Sequence, residues 1–337
     1  QRGGLFSGGN AGPSMPKLPI LSALILLLYA GGVAARDPVL SLPVACALGE
    51  TCFIQNYFDH DGGPGAGDFT CGLLSYDGHD GTDFALPSLA AMAAGVAVTP
   101  AAPGTVRAVR DGMPDIYFDA TGAPDITGRD CGNGVLVDHG GGWETQYCHL
   151  RQGSVAVRPG QRVGLDTLLG QVGLSGRTQF PHLHLSVRKD GTEVDPFAPD
   201  GIVTCREPPA RSLWSSPPPY QAGGLLALGV ADRVPDYAEV RAGPARVERM
   251  QSDSPALVLW AYAFGGRAGD VVRLRLDGPG GTLVDETATL DRAQAQFFRA
   301  AGKRARGDWP VGDYTGEALL LREGATLSRR EIRFTVR

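Results

Sequence analysis

Between Phe180 and Arg188 the chain alternates strictly, with His182, His184 and Ser186 interleaved with Leu183, Leu185 and Val187. Side chains of a β-strand change face at every residue, so this run is a strand with three aliphatic groups turned to a core and two imidazoles projecting together from the other side. A His-x-His pair on a rigid element is a face suited to metal binding or catalysis. Taken alone it is a weak signal.

Its context strengthens it. The chain has six histidines, and two others sit in stretches that suit zinc chemistry, His79-Asp80-Gly81-Thr82-Asp83 and Tyr147-Cys148-His149-Leu150. In an extended conformation His79 and Asp83, an even number of residues apart, share a face and offer one nitrogen and one carboxylate. One imidazole from the His182/His184 pair brings the protein ligands to three. Three ligands with one position open is the arrangement of catalytic zinc, whereas structural sites close all four positions, usually with cysteine.

In these residues the sequence resembles the lysostaphin/LytM-type zinc metalloendopeptidases, which cleave peptide cross-links of bacterial cell walls. The matching pieces, in order, are His79-x-Gly81-x-Asp83, Tyr147-x-His149-Leu150, Ser175-Gly176 and Pro181-His182-Leu183-His184, with Gly160-Gln161 and Gly170-x-Val172-Gly173 between them. The resemblance covers residues 70–198. Asp166 departs from the family pattern, which usually has glycine in that turn, and bears only on local loop shape. The resemblance implies an antiparallel β-sheet metallopeptidase domain, zinc held by His79, Asp83 and His184, and a non-ligand pair, His149 and His182, that serves the chemistry. Zinc lowers the pKa of a bound water towards neutrality. One of the two remaining histidines would then take the water's proton and the other hydrogen-bond the developing oxyanion. Tyr76, three residues before His79, is a candidate further oxyanion donor.

At 337 residues the chain is long enough for about two domains. Its formal charge of −5, with signs interspersed, provides no basic patch for nucleic acid. Forty-eight glycines and 25 prolines favour short strands and tight turns over long helices. Residues 1–14 read as an upstream or vector-derived extension. Residues 15–35 read as a signal peptide: Lys17 precedes the apolar run from Leu18 to Tyr29, and Val33-Ala34-Ala35 supplies the small residues of a cleavage site. That run is shorter than the ~20 residues of a membrane span, so no stable span is expected after cleavage. Export, to a periplasm or beyond, agrees with an even set of six cysteines. Residues 134–138 and 143–148 read as a hairpin about His139-Gly140-Gly141-Gly142, which brings Cys131 and Cys148 to its open end as a disulfide pair.

Residues 36–70 form a lead segment with few periodic runs, and His60 falls in its Gly/Asp-rich loop as a solvated residue. The zinc peptidase domain is expected over 71–205, and the polar loop 111–129, carrying Tyr117 and Phe118, is a candidate groove wall. Residues 206–220, with five prolines, read as a linker. Over 221–337 alternation resumes around Trp260, Leu274 and Phe334, with turns such as Asp277-Gly278-Pro279, which predicts a small immunoglobulin-like β-sandwich. The fold class is therefore mainly β.

Compartment and resemblance together imply peptidoglycan peptides as substrate, a D-amino-acid cross-link in preference to a glycine bridge. Two readings compete. A catalytically silent LytM-like regulator that binds and activates another cell-wall hydrolase would be marked by lost ligands, and a structural zinc scaffold would have no use for the two extra histidines. The chain keeps the whole set. A latent form, with Asn56 or Asp59 of the lead segment covering the open metal position, is a further expectation.

Overall fold

The computed structural model describes residues 36–119, 125–205, 207–243 and 248–337. The upstream extension and the signal peptide fall on residues 1–35 and lie outside the described residues. Among the described residues no helix is long and apolar enough to cross a membrane.

The alternating run forms the His182–Lys189 strand at the centre of an eight-stranded antiparallel sheet. On one side it pairs with the Thr82–Ala85 strand, beyond which Phe53–Asn56 forms the edge. On the other side come the Trp143–Leu150, Asn133–Gly140 and Gly104–Arg110 strands and the short Arg162–Val163 strand. Leu183, Leu185 and Val187 are buried with Val135, Val137, Phe84 and Tyr147 in one apolar cluster, as the period-two pattern requires. The pairing sets Asp83 opposite His184 and Ala85 opposite His182. Directly opposed residues of an antiparallel pair share a face, so the carboxylate and both imidazoles emerge on the same side.

The lead segment is built into this sheet. It supplies the Phe53–Asn56 edge strand, and Ile54 and Tyr57 are among the most buried side chains of the chain. His60 is not solvated: its Nε2 lies 2.7 Å from an Asp195 oxygen, and both side chains are largely buried. The sequence pattern missed this because the partner lies 135 residues away. Disulfides join Cys46 to Cys52, Cys71 to Cys205 and Cys131 to Cys148, the last being the pair expected from the hairpin.

The proline-rich stretch is docked rather than free. Leu213 and Trp214 are buried, and Leu40 exchanges backbone hydrogen bonds with Leu213 and Ser215. The Trp214 ring lies against Phe84 and Phe197. Beyond it, a three-stranded sheet (Gly224–Ala231, Ala256–Gly266, Gln294–Arg304) faces a five-stranded one, the β-sandwich expected from the strand spacing. Leu259, Ala261 and Ala263 of the Ala256–Gly266 strand point into the sandwich. Trp260, Tyr262 and Phe264 point the other way, into the cluster that contains Phe53 and Phe84. The strand is therefore apolar on both faces, and its aromatic face joins the sandwich to the eight-stranded sheet, with the Phe264 and Phe53 rings 4.4 Å apart.

Phe264→Ala removes a ring from this junction and is expected to cost roughly 3–5 kcal/mol of stability, read as a shift of the urea midpoint at constant slope. A loss below 1 kcal/mol would mean that the junction is not packed as described.

Candidate active site

Five side chains converge on the exposed end of the imidazole face: His79, Asp83, His149, His182 and His184, each at least nine-tenths buried. His79, Asp83 and His184 each offer one ligand atom, and the three atoms lie within 4.8 Å of one another. Nε2 of His79 is 3.2 Å from Nδ1 of His184 and 3.2 Å from Oδ1 of Asp83, and the His184 Nδ1 to Asp83 Oδ1 distance is 2.9 Å.

Each of the three has its other polar atom tied elsewhere. His79 Nδ1–H donates to the Tyr57 carbonyl at 2.7 Å. His184 Nε2–H is shared between Asp80 Oδ1 at 3.2 Å and Ser186 Oγ at 3.0 Å. Asp83 Oδ2 accepts Asn56 Nδ2–H at 2.8 Å. Those outer bonds fix the orientation of each side chain and leave His79 Nε2, His184 Nδ1 and Asp83 Oδ1 turned towards one another. Three potential ligand atoms held this close form a site that suits a cation. Two nitrogens and one oxygen suit a borderline metal ion, so the donor set fits the expected one.

The charges are consistent with that. Burial alone would raise the Asp83 carboxyl, but the charges of His79 and His182 and the hydrogen bonds from His184 and His79 hold it well below the usual carboxylate range. Burial likewise works against the His184 imidazolium, yet its bonds to Asp80 and Asp83 carry it up to about 9. This corner of the molecule favours positive charge.

His149 and His182 stand beside the three, their rings 4.5 Å apart. His149 Nδ1–H donates to the Ser175 carbonyl at 2.8 Å. His182 Nδ1–H is shared between the Phe180 carbonyl at 2.9 Å and Thr178 Oγ1 at 3.0 Å. In both rings Nε2 is the free nitrogen, and that of His182 lies 3.4 Å from Asp83 Oδ1. Burial, reinforced by His182 and His184, pushes His149 well below the ordinary histidine range. Burial also lowers His182, although Asp83 opposes it.

The arrival of His149 depends on a break in the strand. Cys148 is opposite His184 and shares its face, so regular alternation would send His149 to the aliphatic side. Instead the pairing with Asn133–Gly140 carries a bulge at this point, and His149 adopts a φ of 61°. A non-glycine residue there costs on the order of 1–3 kcal/mol, and such strain clusters at functional sites. The Cys131–Cys148 disulfide and the His149 N–H bond to the Cys131 carbonyl, 2.8 Å, hold the bulge. Gly81 is required by a second close approach. A Cβ on it would stand 2.5 Å from the Leu185 carbonyl oxygen and 2.7 Å from His184 Nε2.

Tyr76 sits at the rim, 54% exposed, its ring 4.6 Å from that of His79. Asn56, expected as a candidate cover for the open position, donates its side-chain N–H to Asp83. Asp59 accepts backbone N–H groups of Asp61, Gly67 and Gly78 and so organises the loop that leads to His79. His139 lies apart, bonded to the Pro103 carbonyl and Thr145. The outer partners Asp80, Ser175, Thr178 and Ser186 were missed as functional residues. Two of them carried a signal, Asp80 as the acid inside the His79-x-Gly81-x-Asp83 motif and Ser175 as part of the Ser175-Gly176 piece.

Residues 77–196 match peptidase family M23. This segment is an M23 peptidase domain. The chain is 36% identical over 100 residues to a DD-carboxypeptidase/endopeptidase, Mpg, of Neisseria meningitidis, a stretch that is 28% of this chain and 22% of that protein. It is 30% identical over 119 residues to the peptidoglycan DD-endopeptidase ShyA of Vibrio cholerae, covering 35% of this chain and 22% of the relative. The chain thus spans about a fifth of the length of these curated relatives. Among solved structures, the catalytic domain of a prophage-encoded M23 protein of Enterococcus faecalis aligns with 44% of this chain and 92% of its own, at 21% identity and a TM-score of 0.31. The M23 match takes in all five clustered side chains.

Loss of an outer partner of a metal ligand typically weakens metal binding by about 10- to 100-fold. Asn56→Ala is expected to fall in that range in competition with a chromophoric chelator. Unchanged affinity would show that Asp83 does not need Asn56 to aim it.

Proposed function

We propose that this chain is an exported zinc endopeptidase that hydrolyses peptide cross-links or stem peptides of bacterial peptidoglycan. The observation that carries the reading is the shared design of the five clustered side chains. Each has one polar atom anchored outward and one left free towards a common point. His79 Nε2, Asp83 Oδ1 and His184 Nδ1 would hold the zinc, leaving a position open to substrate. Bound there, zinc supplies a Lewis acid and brings a water within reach of deprotonation near neutral pH.

The remaining work falls to the chain's own residues. Burial disfavours the charged form of both His149 and His182. With Nδ1–H committed to a backbone carbonyl, each has a bare Nε2 that can accept a proton from the attacking water and return it to the departing amine. The protonated ring can then hydrogen-bond the oxygen that gains charge in the tetrahedral state. Tyr76 at the rim is placed to bind substrate backbone or to add a further donor. The three disulfides and the curated relatives named as endopeptidases support an extracytoplasmic wall substrate. The intact five-residue set weighs against the silent-regulator reading, because nothing in a purely binding role calls for His149.

The deciding experiment is digestion of purified peptidoglycan by the protein and by its His184→Ala and His149→Ala variants, with products separated by mass. Wild type is expected to release peptides with new termini. His184→Ala should lose both zinc and activity, while His149→Ala keeps zinc and loses at least ~100-fold in rate. Normal zinc binding with no product from wild type would sink the peptidase reading and favour a regulator of another hydrolase.

A further inference from the structure

Residues 111–119, the first part of the loop expected as a groove wall, are fastened to the segment that anchors both non-ligand histidines. Asp115 accepts the backbone N–H of Leu174 at 2.8 Å, and Phe118 N–H donates to the Thr178 carbonyl at 3.1 Å. Ser175 and Thr178, in that same segment, hold His149 and His182. Tyr117 is thus one residue from a direct bond to the shell of the site.

Its ring does not end in solvent. The guanidinium of Arg241, from the Tyr237–Ala242 helix of the C-terminal half, lies 4.5 Å from the centre of the Tyr117 ring and 5.0 Å from that of Tyr237. Two aromatic faces hold the cation in place. What it lacks is a counter-ion. Glu239, the acid of its own helix, is committed to Arg233 in a two-pronged pair and to the Asp236 N–H. Asp119 of the loop accepts a hydrogen bond from Gln179. The Arg241 Nε is buried with no hydrogen-bond partner, and among the described residues neither terminal nitrogen has one. Arg322, also half-buried, shows what a structural guanidinium looks like here: it bonds Asp270 twice and the carbonyls of Ala222 and Gly265.

A guanidinium fixed between rings, short of acceptors and linked through Tyr117 and Phe118 to the segment that holds His149 and His182, is prepared to receive a planar anion. We propose that Arg241 is a specificity-determining residue of this site, binding a free carboxylate of the peptide substrate. The inference rests on the peptidase reading for the identity of the ligand, an acidic peptide, and it makes the C-terminal half a contributor to substrate choice. Tyr117 and Tyr237 orient the guanidinium; the carboxylate supplies the missing acceptors.

The test is binding of two fluorescently labelled cross-linked stem peptides, one with free side-chain and terminal carboxylates and one with those groups amidated, to the full chain. Wild type is expected to prefer the free acid by about tenfold, the worth of one charge-assisted contact. Arg241→Ala should bring the ratio of the two affinities to about one. Arg241→Lys keeps the charge without the planar fork and should retain part of the preference. Tyr117→Phe, which keeps the ring, should retain all of it. Because the readout is a ratio within one protein, a general loss of fold or affinity does not mimic the result, and retained zinc content checks that the site is intact. A preference that persists in Arg241→Ala, or its absence from wild type, would overturn the assignment. Carboxylate-selective binding without cleavage would sink the peptidase reading and leave Arg241 standing; cleavage with no carboxylate preference would do the reverse.

Discussion

The convergence of His79 Nε2, Asp83 Oδ1 and His184 Nδ1 on one point is the constraint on which the rest of the structure depends. Two ring nitrogens and a carboxylate oxygen would lose that aim if each side chain could hydrogen-bond in another orientation. They keep it because each is bonded on its far side to a group it cannot leave: a backbone carbonyl for His79, the Asp80 and Ser186 oxygens for His184, the Asn56 amide for Asp83. Those partners come from the lead segment, from the motif itself and from the central strand. The lead segment is therefore part of the site's support, since the Phe53–Asn56 strand and Tyr57 deliver two of the outer bonds.

The same economy extends to the C-terminal half. The Ala256–Gly266 strand has no polar face: its small and aliphatic residues fill the sandwich, and its aromatic residues close the apolar cluster behind the peptidase sheet. The edge strand that carries Asn56 is thus packed from behind by Phe264.

Much of this was legible in the chain. The period-two run around His182 predicted its strand, its buried face and its exposed face, and the resemblance to LytM-type peptidases agrees with the M23 match. The sandwich strands and the Cys131–Cys148 pair could be read from alternation and from a glycine-rich turn. What could not be read depends on backbone groups and on distant partners. The carbonyls of Tyr57 and Ser175 have no residue-type signature, so the tautomers they impose were invisible. The bulge that redirects His149 is a local failure of the very alternation used to predict strands. His60 looked solvated because Asp195 is remote in sequence, and residues 213–214 looked like part of a free linker because proline content says nothing about what a segment packs against. The aromatic strand was expected to bury one face; a second half folded against it buried the other.

The Cys71–Cys205 bridge encloses 134 residues of separation, and every one of the five clustered side chains lies between its ends. All of that sheet except its Phe53–Asn56 edge strand thus lies within a covalent ring closed at the point where the chain leaves for the C-terminal half. Surface loops are where proteolytic clipping starts. One cut within the ring opens it to a linear chain without releasing a fragment, so the two sides of the break stay tethered and can re-pair as strands. Durability after damage, as much as stability before it, is what this bridge adds.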